Sequence, residues 1–215
     1  MKFEFKRILY ALLAPLFLII ILWLIHVFQW ESNTCWTRLG IYPREIHGLI
    51  GIITGPFIHG DFKHLFSNTI PLFILGWCLF YFYKDLGYLV LPAIWIGTGV
   101  IIWCIGRESW HIGASGLIYG MSFFLFFSGI FRKYIPLMAI SMLVAFLYGS
   151  IVFNMFPVSE LIYENVSWEG HLSGAIAGLL SAVIFRKHGP QKPEDPFEGE
   201  VEEEEDIMST LRETH

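Results

Sequence analysis

Six apolar stretches, separated by charged, glycine- or proline-bearing breaks, organise this chain: about 8–28, 64–83, 86–105, 115–131, 134–154 and 168–185. Each is long enough, or nearly so, to cross about 30 Å of hydrocarbon as a helix. The pattern predicts an all-α membrane protein, a six-transmembrane-helix bundle. The connection between the first two stretches, about 29–63, is long for a loop without structure of its own. It carries Trp30, Trp36 and Tyr42, amphipathic rings suited to the headgroup level. It also holds the apolar run Gly48–Ile58, too short to cross and interrupted by glycines and Pro56. A partly immersed first outer loop is expected, and packing of that loop on the helix tops is compatible with it. The other connections are short, and no internal repeat is evident.

Charge then sets the orientation. With the N-terminus inside, Lys2, Lys6, Arg7, Lys84, Arg132, Lys133, Arg186, Lys187 and Lys192 all fall inside. Arg38, Arg44, Lys63 and Arg107 fall outside. This bias predicts both termini in the cytoplasm and an even number of spans. The first stretch has a basic start but runs longer than a signal-peptide core, and no small-residue cleavage site follows, so it reads as a retained helix. Of the 215 residues, 55% are hydrophobic and 15% charged, which fits a multi-pass integral membrane protein rather than a soluble domain. Acid is concentrated between Glu194 and Asp206. That composition predicts a membrane domain over 1–190 and a disordered cytoplasmic tail over 191–215. Cys35, Cys78 and Cys104 form no disulfide framework, and no spacing of histidines and cysteines resembles a metal site. No metal, cofactor or nucleic acid is expected as a partner.

Three of the stretches carry polar groups that are costly in hydrocarbon: His64 and Asn68, Ser115 and Tyr119, and His171. Counting helical rise from the inner basic anchors gives their depths. Ser115 stands roughly 25 Å above Arg132, His171 roughly 22 Å above Arg186, and Asn68 roughly 24 Å above Lys84, with His64 roughly 30 Å up. All fall in one slab a little below the outer surface.

Each group alone has a plain structural reading. Ser115 in Gly113-Ala-Ser-Gly116 could be a helix cap, and His171 a hydrogen-bonding histidine. His64 and Asn68, four apart on one helix face, could bond each other or a nearby carbonyl. Together they suit nucleophilic acyl transfer. A serine beside an imidazole is an activated nucleophile. Two further donors can serve a developing oxyanion. Ser115 at a helix start would add free backbone N–H groups and the positive end of the dipole. Gly170, Gly174 and Gly178 make a smooth stripe that lets another helix approach closely. Gly113 and Gly116 let the backbone come near a substrate. No acid lies at the depth of His171, Glu169 being on the loop side, so a Ser-His dyad is expected rather than a triad.

These residues closely resemble the rhomboid intramembrane serine proteases over about 39–187. The resemblance rests on His59-Gly-Asp-Phe-Lys-His64-Leu-Phe-Ser-Asn68, on Gly113-Ala-Ser115-Gly116 with Tyr119 one turn later, and on Gly170-His171-x-x-Gly174-x-x-x-Gly178. It implies Ser115 as nucleophile, His171 as base, and Tyr119 stacked on the His171 ring. It implies an oxyanion hole from His64, Asn68 and the Ser115 N–H. It further implies cleavage of single-span membrane proteins in the bilayer, near its outer face, and a bacterial inner-membrane location. The first loop departs from the Trp-Arg pair of some relatives, with Arg44 in Tyr42-Pro-Arg-Glu45. The rival readings are an inactive rhomboid-like escort, which would generally lack the serine or histidine, and a polar channel, which the absence of repeats and paired charges disfavours.

Overall fold

The structure is a computed structural model that describes residues 2–150, 155 and 167–193. Six long helices carry it: α1 (Lys2–Glu31), α2 (Phe62–Tyr83), α3 (Gly87–Ile105), α4 (Ser115–Arg132), α5 (Ile135–Tyr148) and α6 (Trp168–Ile184). They match the six apolar stretches closely. The largest difference is α1, 30 residues against an expected 21, because its polar flanks continue the helix. The end of the fifth expected stretch, the connection that follows it and the acidic tail from Glu194 onward lie outside the described residues. Among the described residues there is no strand, only an isolated antiparallel bridge between Ile41 and His111.

The helices α1, α2 with α3, and α4 contain stretches long and apolar enough to cross a membrane. α1 projects most of its apolar side chains outward, with Phe5, Tyr10, Leu13, Phe17 and Leu24 all exposed. In hydrocarbon such a surface needs no further cover. α4 is the opposite: it occupies the centre and packs on α2, α3, α5 and α6. Its buried set, from Gly116 through Leu117, Met121, Phe124 and Leu125 to Ser128, covers most of its circumference. The protein is an integral membrane protein built as a multi-span helical bundle.

Close backbone approach holds α4 between its neighbours. A Cβ placed on Gly174 would collide with the carbonyl of Gly116, and one on Gly178 with the carbonyl of Gly120. On the α5 side, Ser141 Oγ donates to the Phe126 carbonyl at 2.7 Å, and Gly129 packs against Leu137 and Ser141. At the end of the bundle where both described chain ends lie, Arg132 of α4 closes α6. Its guanidinium donates to the carbonyls of Phe185 at 2.8 Å, Arg186 at 2.9 Å and Pro190 at 3.1 Å, and to Ser128 Oγ at 2.9 Å. These carbonyls belong to the cap residue Phe185 and to the turn that follows α6, and a buried cation there also complements the helix dipole.

At the opposite end, residues 33–61 fold into short helical turns, Thr37–Leu39, Ile46–Gly48, Gly51–Thr54 and Gly55–Phe57. The loop docks on α3: Trp95 Nε1 donates to the Ile52 carbonyl at 2.9 Å and Trp103 Nε1 to the Glu45 carbonyl at 3.0 Å. Arg44, in the left-handed region at φ 62°, donates from Nη1 to the Gly106 carbonyl at 2.7 Å. Ile46, Leu49, Ile50 and Ile53 remain exposed on its outer side, Ile46 at 84%. The apolar run therefore packs on helix α3 while keeping an exposed apolar edge, the surface expected of a partly immersed loop.

Candidate active site

Of the predicted site residues, His64, Asn68, Gly170 and Gly174 lie beside the segment Gly113–Gly116, where the 106–114 loop enters α4, whereas Gly178 packs on Gly120. Gly113 has φ +102°, a conformation that side-chain-bearing residues rarely adopt. A Cβ there would also sit 2.8 Å from His64 Nε2 and 2.7 Å from its Cε1, with Asn68 Nδ2 at 3.7 Å. This glycine therefore lets the loop lie directly against the His64 and Asn68 side chains. Its N–H donates to the Gly55 carbonyl at 3.0 Å, tying the segment to the first loop.

The helix-cap reading of Ser115 does not hold. The cap position falls on Ala114, which offers no side-chain acceptor, and Ser115 is the first helical residue. Its N–H and that of Gly116 therefore have no acceptor within the helix. The Ser115 side chain is half-buried. It lines a cavity of about 30 Å³ together with Gly116, Thr98, His111 and Gly170. That volume suffices for a water molecule. Thr98 Oγ1 is buried there without a hydrogen-bond partner.

His171 lies one turn into α6 and is buried. The Tyr119 ring stacks on its imidazole, with centroids 4.2 Å apart and planes inclined by 6°. A Cβ on Gly116 would lie 3.3 Å from the Gly170 carbonyl, and Gly174 packs on Gly116 as described above. The stripe of Gly170, Gly174 and Gly178 thus brings the helix of His171 against the helix of Ser115. Gly113–Gly116 is in contact on one side with His64 and Asn68, and on the other with the helix that carries His171.

Asn68 departs from the simplest sequence reading. It shares a helix face with His64, but its bonded partner is His59: Asn68 Nδ2 lies 3.1 Å from His59 Nε2. His59 is fully buried in the loop leading into α2, and its ring meets that of His64 at 5.0 Å. Burial, assisted by the neighbouring His64, pushes the His59 pKa down to about 3. The ring is therefore neutral, and Nε2 accepts from the Asn68 amide. The sequence signal for this was present, since His59 opens the element ending in Asn68, but helix-face spacing pairs Asn68 with His64 instead. Asp61 explains the break: it caps α2, its carboxylate accepting from the His64 N–H at 2.7 Å, so His59 lies outside the helix.

The sequence reading left a second group of residues unpaired. His111 Nδ1 lies 2.6 Å from Ser167 Oγ, and Ser167 caps α6 by accepting from the Gly170 N–H at 3.0 Å. Glu169, nearly fully buried, pairs with Arg107 at 3.5 Å.

A bundle with an interrupted first loop and a serine, histidine and asparagine slab defines a class of intramembrane protein. Residues 47–188 match the Rhomboid domain, and this chain belongs to the rhomboid family. Among similar proteins is an uncharacterised protein of Mycobacterium tuberculosis (strain ATCC 25618 / H37Rv), 36% identical over 171 residues, covering 77% of this chain and 71% of that one. An uncharacterised protein of Mycobacterium leprae is 33% identical over 172 residues, covering 77% of this chain and 67% of that one. A Bacillus subtilis protein named "Putative rhomboid protease YdcA" is 28% identical over 180 residues, covering 81% and 84%. Membership of the family suggests intramembrane protease activity on membrane proteins.

Proposed function

We propose that the protein is a serine endopeptidase that hydrolyses peptide bonds in or near transmembrane segments, using a Ser115–His171 dyad. The single observation that carries this reading is the position of Gly113–Gly116, in contact with His64 and Asn68 on one face and with the His171 helix on the other. In this reading His171 takes the Ser115 proton as the oxygen attacks the scissile carbonyl, and returns it to the leaving amine. The Ser115 N–H, His64 and Asn68 donate to the tetrahedral oxyanion, and the α4 dipole favours the same charge. Tyr119 keeps the imidazole in plane. Water then hydrolyses the acyl-enzyme, and the small cavity beside Ser115, with its unpartnered Thr98 hydroxyl, is a place to hold one. The substrates are single-span membrane proteins. The two chain ends face the cytoplasm of a bacterium, with the acidic segment 191–215 as a solvated tail beyond the membrane domain.

The test is cleavage of a panel of single-span substrates by the purified protein in detergent, with Ser115→Ala and His171→Ala alongside. Loss of cleavage in both variants, with unchanged melting temperatures, supports the dyad. Equal cleavage by all three proteins sinks it.

A further inference from the structure

The loop before Ser115 and the start of the helix that carries His171 are bridged twice, by residues outside the proposed dyad. His111 stands four residues before Ser115, and Ser167 four residues before His171. His111 Nε2 lies 3.1 Å from the Arg107 carbonyl, an acceptor only, so Nε2 carries the proton. Nδ1 is then the acceptor, and the Ser167 hydroxyl at 2.6 Å donates to it. That leaves Ser167 Oγ free to accept from the Gly170 N–H, which is what caps α6. Arg107, whose carbonyl holds the imidazole, also pairs through its guanidinium with buried Glu169 at 3.5 Å. The backbone of His111 is itself pinned by two hydrogen bonds to Ile41, at 2.9 and 2.8 Å.

We infer that His111 is a positioning residue: through Ser167 it holds the first turn of α6, and with it His171, in register with Ser115. The role follows from connectivity. The nucleophile segment and the base helix belong to different parts of the chain, and side-chain bonds at equal distance from each couple them at the outer end. The glycine stripe fixes how near α4 and α6 come, but a smooth stripe tolerates sliding along the helix axis. A directional hydrogen bond at the α6 cap sets the axial position that the stripe leaves free. Burial lowers the affinity of the His111 ring for a proton, which keeps it in the neutral form this bond requires.

This inference rests on the proposed protease reading for its catalytic consequence but not for its structural one, and the experiment separates the two. Hydrogen exchange at the Gly170 and His171 amides is measured on the full chain in detergent for wild type, His111→Phe, His111→Asn, Ser167→Ala and the His111→Phe/Ser167→Ala double variant. Phenylalanine keeps the ring volume without the acceptor, and asparagine presents Oδ1 close to the position of Nδ1. His111→Phe and Ser167→Ala are expected to speed exchange, the double variant no more than Ser167→Ala alone, and His111→Asn to stay near wild type. In cleavage assays His111→Phe is expected to lower kcat about tenfold with KM unchanged, and His111→Asn to recover most of it. Wild-type exchange in His111→Phe overturns the inference, as does an equal fall in kcat for the Phe and Asn variants. If the wild type cleaves no substrate, the protease reading fails, while exchange still decides whether His111 holds α6.

Discussion

The rings of Tyr119 and His171 lie almost parallel, 4.2 Å apart at 6°, one from α4 and the other from α6. A stacked aromatic pair is worth about 0.5–1.5 kcal/mol beyond its buried area. Here it restrains the rotation of the His171 imidazole, which in the proposed dyad keeps one nitrogen toward Ser115. Tyr119→Phe retains the ring and should retain cleavage to within about threefold, whereas Tyr119→Leu should lose about tenfold, a change of about 1.4 kcal/mol. The measurement is kcat on a model single-span substrate, with the melting temperature as a control. Equal activity in the Phe and Leu variants would remove any orienting role for the ring.

The glycine stripe gives a sharper steric prediction. A methyl on Gly174 has no room against the Gly116 carbonyl, and one on Gly178 none against the Gly120 carbonyl. The obstacle is backbone, so relief requires moving α4 away from α6. Overpacking of this kind costs about 1–3 kcal/mol. Gly174→Ala and Gly178→Ala should therefore lower the melting temperature to a similar extent. Gly174→Ala should lose more activity, because its contact lies next to Ser115. Gly60→Ala is the comparison, since a Cβ there meets nothing within 4 Å. A stable, fully active Gly174→Ala protein would mean that α6 docks differently.

Much of this geometry was legible in the sequence, and the reason is physical. Hydrocarbon imposes long apolar helices, so hydropathy fixes the spans, and a constant helical rise fixes depth. Ser115, His171, Asn68 and His64 could be placed in one slab by counting. What counting cannot reach is the lateral pairing of loop residues. His59 lies before the Asp61 cap, outside the helical period, so its bond to Asn68 obeys no helix-face rule. His111 and Ser167 are 56 residues apart, and their meeting depends on the first loop pinning His111 through Ile41. Arg132 reads as an inner boundary charge, and only the packed bundle turns it inward onto the carbonyls at and beyond the end of α6.

That inward turn can be tested. Arg132 is buried and donates to three carbonyls at and beyond the end of α6. Lysine lacks the planar fork needed to reach them together, and methionine removes the guanidinium from all three, leaving Phe185 only the His188 N–H and Arg186 only the Gln191 amide. Hydrogen bonds to a charged group contribute about 1.5–3 kcal/mol each, with less than full additivity. Arg132→Met should therefore destabilise strongly, and Arg132→Lys should fall between it and wild type. Thermal unfolding in detergent checks the order. Arg132→Met with a wild-type melting temperature would show that the α6 end needs no such closure.

His59 makes stability depend on pH, and the sign is fixed by the direction of its shift. Its pKa falls from the ordinary 6.5 to about 3 in the folded protein, chiefly through burial and secondarily through His64. The unfolded chain therefore takes up a proton near pH 6.5, while the folded chain does so only near 3. Where the unfolded state binds more protons, stability rises with pH. The contribution of neutral His59 is thus fully present above about pH 6.5 and is lost progressively as the pH falls toward 3. Protonation would also put a donor on Nε2, facing the Asn68 amide it now accepts from. His59→Gln, which cannot titrate, should flatten the fall in melting temperature between pH 6.5 and pH 4, wherever its value at neutral pH lies. His59→Ala should lower kcat by freeing the Asn68 side chain, and adding it to Asn68→Ala should cost little more, because the two act through one donor. An unchanged acid slope in His59→Gln would mean that the ring exchanges protons freely in the folded state, and strictly additive losses in the double variant would mean that His59 does not act through Asn68.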